Sequence, residues 1–75
     1  MKKLLNFLNN LEKRKIHYRL EHNREDFIMV NVAVPGERWE IEFSDDGRIE
    51  IEIFKNSSGV LCDESLLDKL LTFGE

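Results

Sequence analysis

Apolar residues recur at helical spacing near both ends of the chain and at every second position between them. Leu4, Leu8 and Leu11 fall at i, i+4 and i+7, with Leu5 and Phe7 beside them. That spacing predicts a helix from residue 2 to about residue 14 with one apolar face. Lys13, Arg14 and Lys15 stand at its C-terminal end, where cations suit the helix dipole. The period then drops to two. Ile16, Tyr18 and Leu20 alternate with His17, Arg19 and Glu21, and Ile28, Val30, Val32 and Val34 with Phe27, Met29, Asn31 and Ala33. Trp39, Ile41 and Phe43 alternate with Arg38, Glu40 and Glu42, and Ile49, Ile51 and Ile53 with Arg48, Glu50, Glu52 and Phe54. These are four half-buried strands. Asn56-Ser57-Ser58-Gly59 breaks the alternation. Asp63 then reads as an N-cap with Glu64 in the first turn, and Leu66, Leu67, Leu70, Leu71 and Phe73 line a second helix closed by Gly74.

The turns test which residues face each other. Asn23-Arg24-Glu25-Asp26 is polar and turn-like. Pro35-Gly36 suits a tight turn, because proline presets φ and glycine accepts a positive one. Pairing Val34 with Glu37 across it sets Val32 against Trp39, Val30 against Ile41 and Ile28 against Phe43. In the next hairpin a two-residue loop would set Phe43 against Arg48 and mix the faces. A three-residue loop, Asp45-Asp46-Gly47, sets Phe43 against Ile49 and Ile41 against Ile51, with glycine where such loops favour it. Turn chemistry and hydrophobic pattern therefore agree on an α+β domain over residues 1–75. It is a four-stranded antiparallel meander with N- and C-terminal helices packed on one face, α-β-β-β-β-α.

This register also assigns the face that the helices leave open. Glu42 falls opposite Glu50, and Glu40 opposite Glu52. Like charges in direct opposition are unfavourable, so a sequence selected only for stability would interleave lysines. One explanation is a solvated face whose charges block aggregation. The other is a surface kept acidic for a basic protein partner, with Glu40, Glu42, Glu50 and Glu52 steering and Phe27, Met29 and Phe54 as apolar contacts.

Charge sharpens the second explanation. The formal net charge of −4 is unevenly spread. Residues 1–24 carry seven basic and two acidic side chains, +5, and residues 25–75 carry four basic and thirteen acidic, −9. Lys13, Arg14, Lys15 and Arg19 are the candidates for nucleic-acid contact, but an acidic chain lacks the phosphate-neutralising footprint of a general binder. The two halves also allow self-association, by charge or by extension of a sheet edge at strand four.

No catalytic constellation is legible. Cys62 is the lone cysteine, which excludes an intrachain disulfide and a zinc-ligand spacing. A pairing of Cys62 with His17 or His22 is outweighed by a packing role for the thiol. A flat carboxylate face seldom wraps a cation, and no Asp-x-Asp-x-Asp-Gly loop is present. No enzyme activity, cofactor or metal is expected. Met1-Lys2-Lys3-Leu4-Leu5 is interrupted by Asn6, Asn9 and Asn10 before it becomes a signal segment, and no run approaches a membrane span. A lone thiol fits a reducing compartment, so the expected location is the cytoplasm.

The run Val32-Ala33-Val34-Pro35-Gly36-Glu37-Arg38-Trp39-Glu40-Ile41-Glu42-Phe43, followed by Asp46-Gly47-Arg48-Ile49-Glu50-Ile51, resembles small uncharacterised bacterial proteins associated with toxin–immunity gene neighbourhoods. The resemblance covers most of the chain and rests on length and hairpin pattern, so it assigns no functional residues. It implies a compact acidic protein of inhibitor, immunity or antitoxin type.

Overall fold

The computed structural model describes residues 2–55 and 67–71, and the backbone course of residues 58–62. Helix α1 (Lys2–Lys13) is followed by strands β1 (Tyr18–Arg24), β2 (Phe27–Val34), β3 (Glu37–Ser44), β4 (Ile49–Lys55) and β5 (Ser58–Cys62), then a short helix α2 (Leu67–Leu71). The strands form one antiparallel sheet in chain order. The α+β meander read from the sequence is present, and β5 extends it by one strand. Asp63, Glu64, Leu66, Phe73 and Gly74 lie outside the described residues, as do Asn56 and Ser57.

The hairpins close as turn chemistry requires. Val34 pairs with Glu37, Val32 with Trp39, Val30 with Ile41 and Ile28 with Phe43. Phe43 pairs with Ile49 and Ile41 with Ile51. Gly36 and Gly47 hold φ of 79° and 90°, a region that side chains with a Cβ rarely enter. Both β-turns therefore need their glycines.

The core lies between the inner sheet face and the two helices. Leu4, Phe7, Leu8 and Leu11 of α1 pack with Val30, Val32, Trp39, Ile41, Phe43, Ile51, Ile53 and Leu70, and Leu67 and Leu71 lie against the same cluster. Helix α1 starts near the β3–β4 turn, where Lys3 Nζ donates to the Gly47 carbonyl at 3.1 Å. It ends near the start of β1, where the Tyr18 hydroxyl donates to Glu12 Oε2 at 2.6 Å. Leu20 does not share this cover. It lies on the helix side of β1 by register, opposite Val30, yet is 51% exposed, because β1 is an edge of the sheet.

The end of α1 departs from the usual chemistry. The Ile16 N–H donates to the Leu11 carbonyl at 2.9 Å and the Lys15 N–H to the Glu12 carbonyl at 3.1 Å. This is the Schellman arrangement, with Ile16 and Leu11 both in the core as its apolar contact. The residue that must take positive φ is Lys15, at 58°. A left-handed non-glycine residue costs roughly 1–2 kcal/mol, offset in part by the flexibility that glycine adds to the unfolded chain. Lys15→Gly is therefore expected to stabilise the fold by up to about 1 kcal/mol. Urea denaturation checks this, and a destabilised variant would show that the lysine side chain has a role the backbone does not reveal.

Candidate functional site

The sheet face turned away from α1 and α2 carries Glu21 on β1, Met29 and Asn31 on β2, Arg38, Glu40 and Glu42 on β3, and Glu50, Glu52 and Phe54 on β4. The register places Glu42 directly opposite Glu50 and Glu40 directly opposite Glu52. A hollow of about 70 Å³ opens among these four glutamates, above Ile51. Met29 and Phe54 are half-buried at its sides. Met29 lies beside Glu42 and Phe54 beside Arg38 in the register.

The two glutamate pairs differ in what neutralises them. Arg24 Nε donates to Glu42 Oε2 at 3.1 Å while its Nη2 lies 3.1 Å from Glu42 Oε1, a bidentate fork. The same Nη2 donates to Glu50 Oε1 at 3.1 Å. One guanidinium thus bridges the whole Glu42–Glu50 pair. Desolvation works against its charge, but the hydrogen bonds to Glu50 and Glu42 outweigh that and raise the pKa of Arg24. Among the described residues the Glu40–Glu52 pair has no such bridge. Arg38 Nη2 approaches Glu40 Oε2 at 3.5 Å while its guanidinium lies 4.5 Å from the Phe54 ring centre. No ion pair reaches Glu52 among the described residues.

Arg24 was not legible as the bridging residue, since the sequence pattern puts it in a turn. It belongs to β1 and pairs with Phe27, because the register shifts by one residue between Glu21 and Arg24. A β-bulge of this kind turns the following side chains over to the other face. The sequence does hold a signal for it. Carrying the Leu20–Val30 register onward would leave Arg24-Glu25-Asp26 as a three-residue loop with no glycine, which that loop length favours. Glu25-Asp26 turns instead, and the extra residue is absorbed in the strand.

The shift also decides the surroundings of Phe27. Its ring is only 4% exposed, with the Arg24 guanidinium 3.7 Å and the Arg48 guanidinium 5.3 Å from its centre. Arg48 is held by Asp46 at 3.0 Å and lies 3.8 Å from Asp26. The Ser44 hydroxyl donates to Asp46 as well. Together Ser44 and Arg48 bring the Asp46 pKa down to about 2. Phe27 is therefore covered by this charged corner rather than presented as an apolar contact.

The basic candidates are divided between faces. Lys13, Arg14 and Lys15 end α1, whereas Arg19 pairs with Asn31 and so lies on the outer face. Tyr18, between them in the chain, faces the core side and is bonded to Glu12, which raises its phenol pKa. His22 Nε2 lies 3.2 Å from the Glu25 carbonyl. Cys62 ends β5 and pairs with Ile51. Among the described residues no group of three or more His, Cys, Asp or Glu is placed to hold a metal ion, and no helix is long and apolar enough to cross a membrane.

In comparisons with known families, curated proteins and solved structures, no match to the chain is found.

Proposed function

We propose that this chain is a non-enzymatic protein-binding domain of inhibitor, immunity or antitoxin type, acting in the cytoplasm, and that its outer sheet face receives a basic side chain of its partner. The observation that supports the reading most is the contrast between the two glutamate pairs. Arg24 occupies the Glu42–Glu50 pair from within the chain. The neighbouring Glu40–Glu52 pair repeats the same cross-strand geometry without a bridging cation among the described residues. An arginine or lysine from a partner would do for Glu40 and Glu52 what Arg24 does for Glu42 and Glu50. Phe54, two residues along β4 from Glu52, adjoins that position, and Met29 lies one pair further on beside Glu42; both supply apolar contact. Blocking a cleft that otherwise holds a polyanion is the mechanism such a surface suits, by electrostatic steering and steric occupation.

The test is capture of a partner from the source organism with wild type, followed by affinity measurement for Glu40→Gln/Glu52→Gln. Truncating one side of a buried charge pair costs about 2–5 kcal/mol, so the double variant is expected to bind more weakly by on the order of thirtyfold or more. The loss should sit with wild-type affinity falling as salt is raised. Equal affinity of wild type and variant for the captured partner would sink the reading.

A further inference from the structure

The free edge of the sheet at β1 carries a pattern that the outer-face reading does not use. Among the described residues β1 pairs only with β2, so its other side presents unpaired backbone groups. Proteins blunt such an edge with charged side chains, proline or a bulge, and β1 has its bulge only beyond Glu21. Here the charges alternate in sign about an exposed apolar residue: Arg19, Leu20, Glu21. Leu20 is 51% exposed, and Ile28, diagonal to it across the β1–β2 ladder, is only partly buried. Arg19 forms no ion pair among the described residues. Glu21 accepts one hydrogen bond, from Asn31 Nδ2 at 2.9 Å, and keeps further acceptor capacity.

We propose that β1 pairs antiparallel with β1 of a second copy of this chain, about a two-fold axis at Leu20, joining two sheets into one. In that register Leu20 meets its own copy on the inner face, and Arg19 meets Glu21 of the other chain twice on the outer face. Tyr18 falls opposite His22. The register is selected by charge. Sliding the pair by one step that preserves the faces sets Arg19 against Arg19 in one direction and Glu21 against Glu21 in the other, and like charges in direct opposition are unfavourable. Only the Leu20-centred register unites opposite charges. Apolar contact of Leu20 with its copy removes from water a side chain that the monomer leaves half exposed. The bulge between Glu21 and Arg24 limits the new ladder to the first part of β1, where the complementary residues stand.

Sedimentation equilibrium on the full chain and three charge variants tests this. Wild type is expected to show a monomer–dimer equilibrium. Arg19→Glu alone and Glu21→Arg alone each turn two attractive cross-strand pairs repulsive and should weaken the dimer on the order of tenfold. The double variant Arg19→Glu/Glu21→Arg restores opposite charges across the two-fold axis and should recover the wild-type affinity within a few-fold. Leu20→Asp should abolish the dimer. Circular dichroism confirms that each variant is folded, and the double swap keeps the test valid if one single variant is not. A wild type that stays monomeric up to about 1 mM, a dimer indifferent to Leu20→Asp, or a double swap as weak as the single changes would each overturn the proposal. A dimer governed instead by Glu40 and Glu52 would overturn it too, and would point back to the outer face.

Discussion

Trp39→Ala is expected to leave the chain largely unfolded at 25 °C. Trp39 is fully buried at 0% exposure, in the middle strand of the sheet. It pairs with Val32 on one side and Ile53 on the other, both of them core residues. Removing such a ring costs about 3–5 kcal/mol, because the surrounding side chains close only part of the cavity. A core of this size supplies on the order of 3–5 kcal/mol in all. The loss and the reserve are equal in size, so the folded population should collapse. The indole has a second role at the rim of the core. Its N–H donates to Glu37 Oε1 at 2.8 Å, and Lys55 lies 3.1 Å from Glu37 Oε2. Burial alone would raise the Glu37 pKa, but the Trp39 and Lys55 hydrogen bonds outweigh it and hold the carboxyl below its usual value. Trp39→Phe keeps most of the apolar volume and leaves Glu37 with Lys55, so that variant should fold, with a loss of about 1–2 kcal/mol. Urea denaturation followed by far-UV circular dichroism separates the two. A cooperative Trp39→Ala transition within about 1 kcal/mol of wild type would mean that the core is organised differently.

Phe27→Ala should be nearly as damaging, which is unexpected for a residue on the face opposite the helices. The ring is 4% exposed under the guanidinium groups of Arg24 and Arg48. Those groups cannot follow a truncated side chain inward, because Arg24 is tied to Glu42 and Glu50 and Arg48 to Asp46. A cavity that stays open carries the larger part of the usual penalty, so a loss of about 3 kcal/mol is expected. Phe27→Leu keeps an apolar side chain but removes the ring face from both cations, for roughly 1 kcal/mol. Denaturant titration reads both losses. A Phe27→Ala change of less than about 0.5 kcal/mol would return Phe27 to the exposed surface. The same result bears on partner binding. If Phe27→Ala weakens binding only as far as it unfolds the chain, then Glu40, Glu52, Met29 and Phe54 carry the contact and Phe27 serves the fold beneath Arg24 and Arg48.

Legibility from sequence ran along a definite boundary. The facing of Glu42 with Glu50 and of Glu40 with Glu52 was readable because strand period is two and the lengths of two turns were set by Pro35-Gly36 and by Gly47. The bridging of one of those pairs was not, because it depends on Arg24, and one extra residue in β1 decides which face Arg24 occupies. β5 was equally hidden. Ser58-Gly59-Val60-Leu61-Cys62 shows no alternation and begins with residues typical of a loop, so its strand state rests on pairing with β4 rather than on its own pattern.

By itself the sequence determined the α+β class, the two middle hairpins with their register, the apolar face of α1 and the opposed glutamates. Each of these follows from periodicity or from a turn that few conformations satisfy, and both act over a handful of neighbouring residues. Tertiary structure alone decided that Leu20 is left open at an edge, that Phe27 is sealed beneath two arginines, and that Arg24 bridges one glutamate pair while the other has no bridging cation among the described residues. Those outcomes depend on which segments meet in space. Alternation says which way a side chain points, but what covers it comes from residues far along the chain.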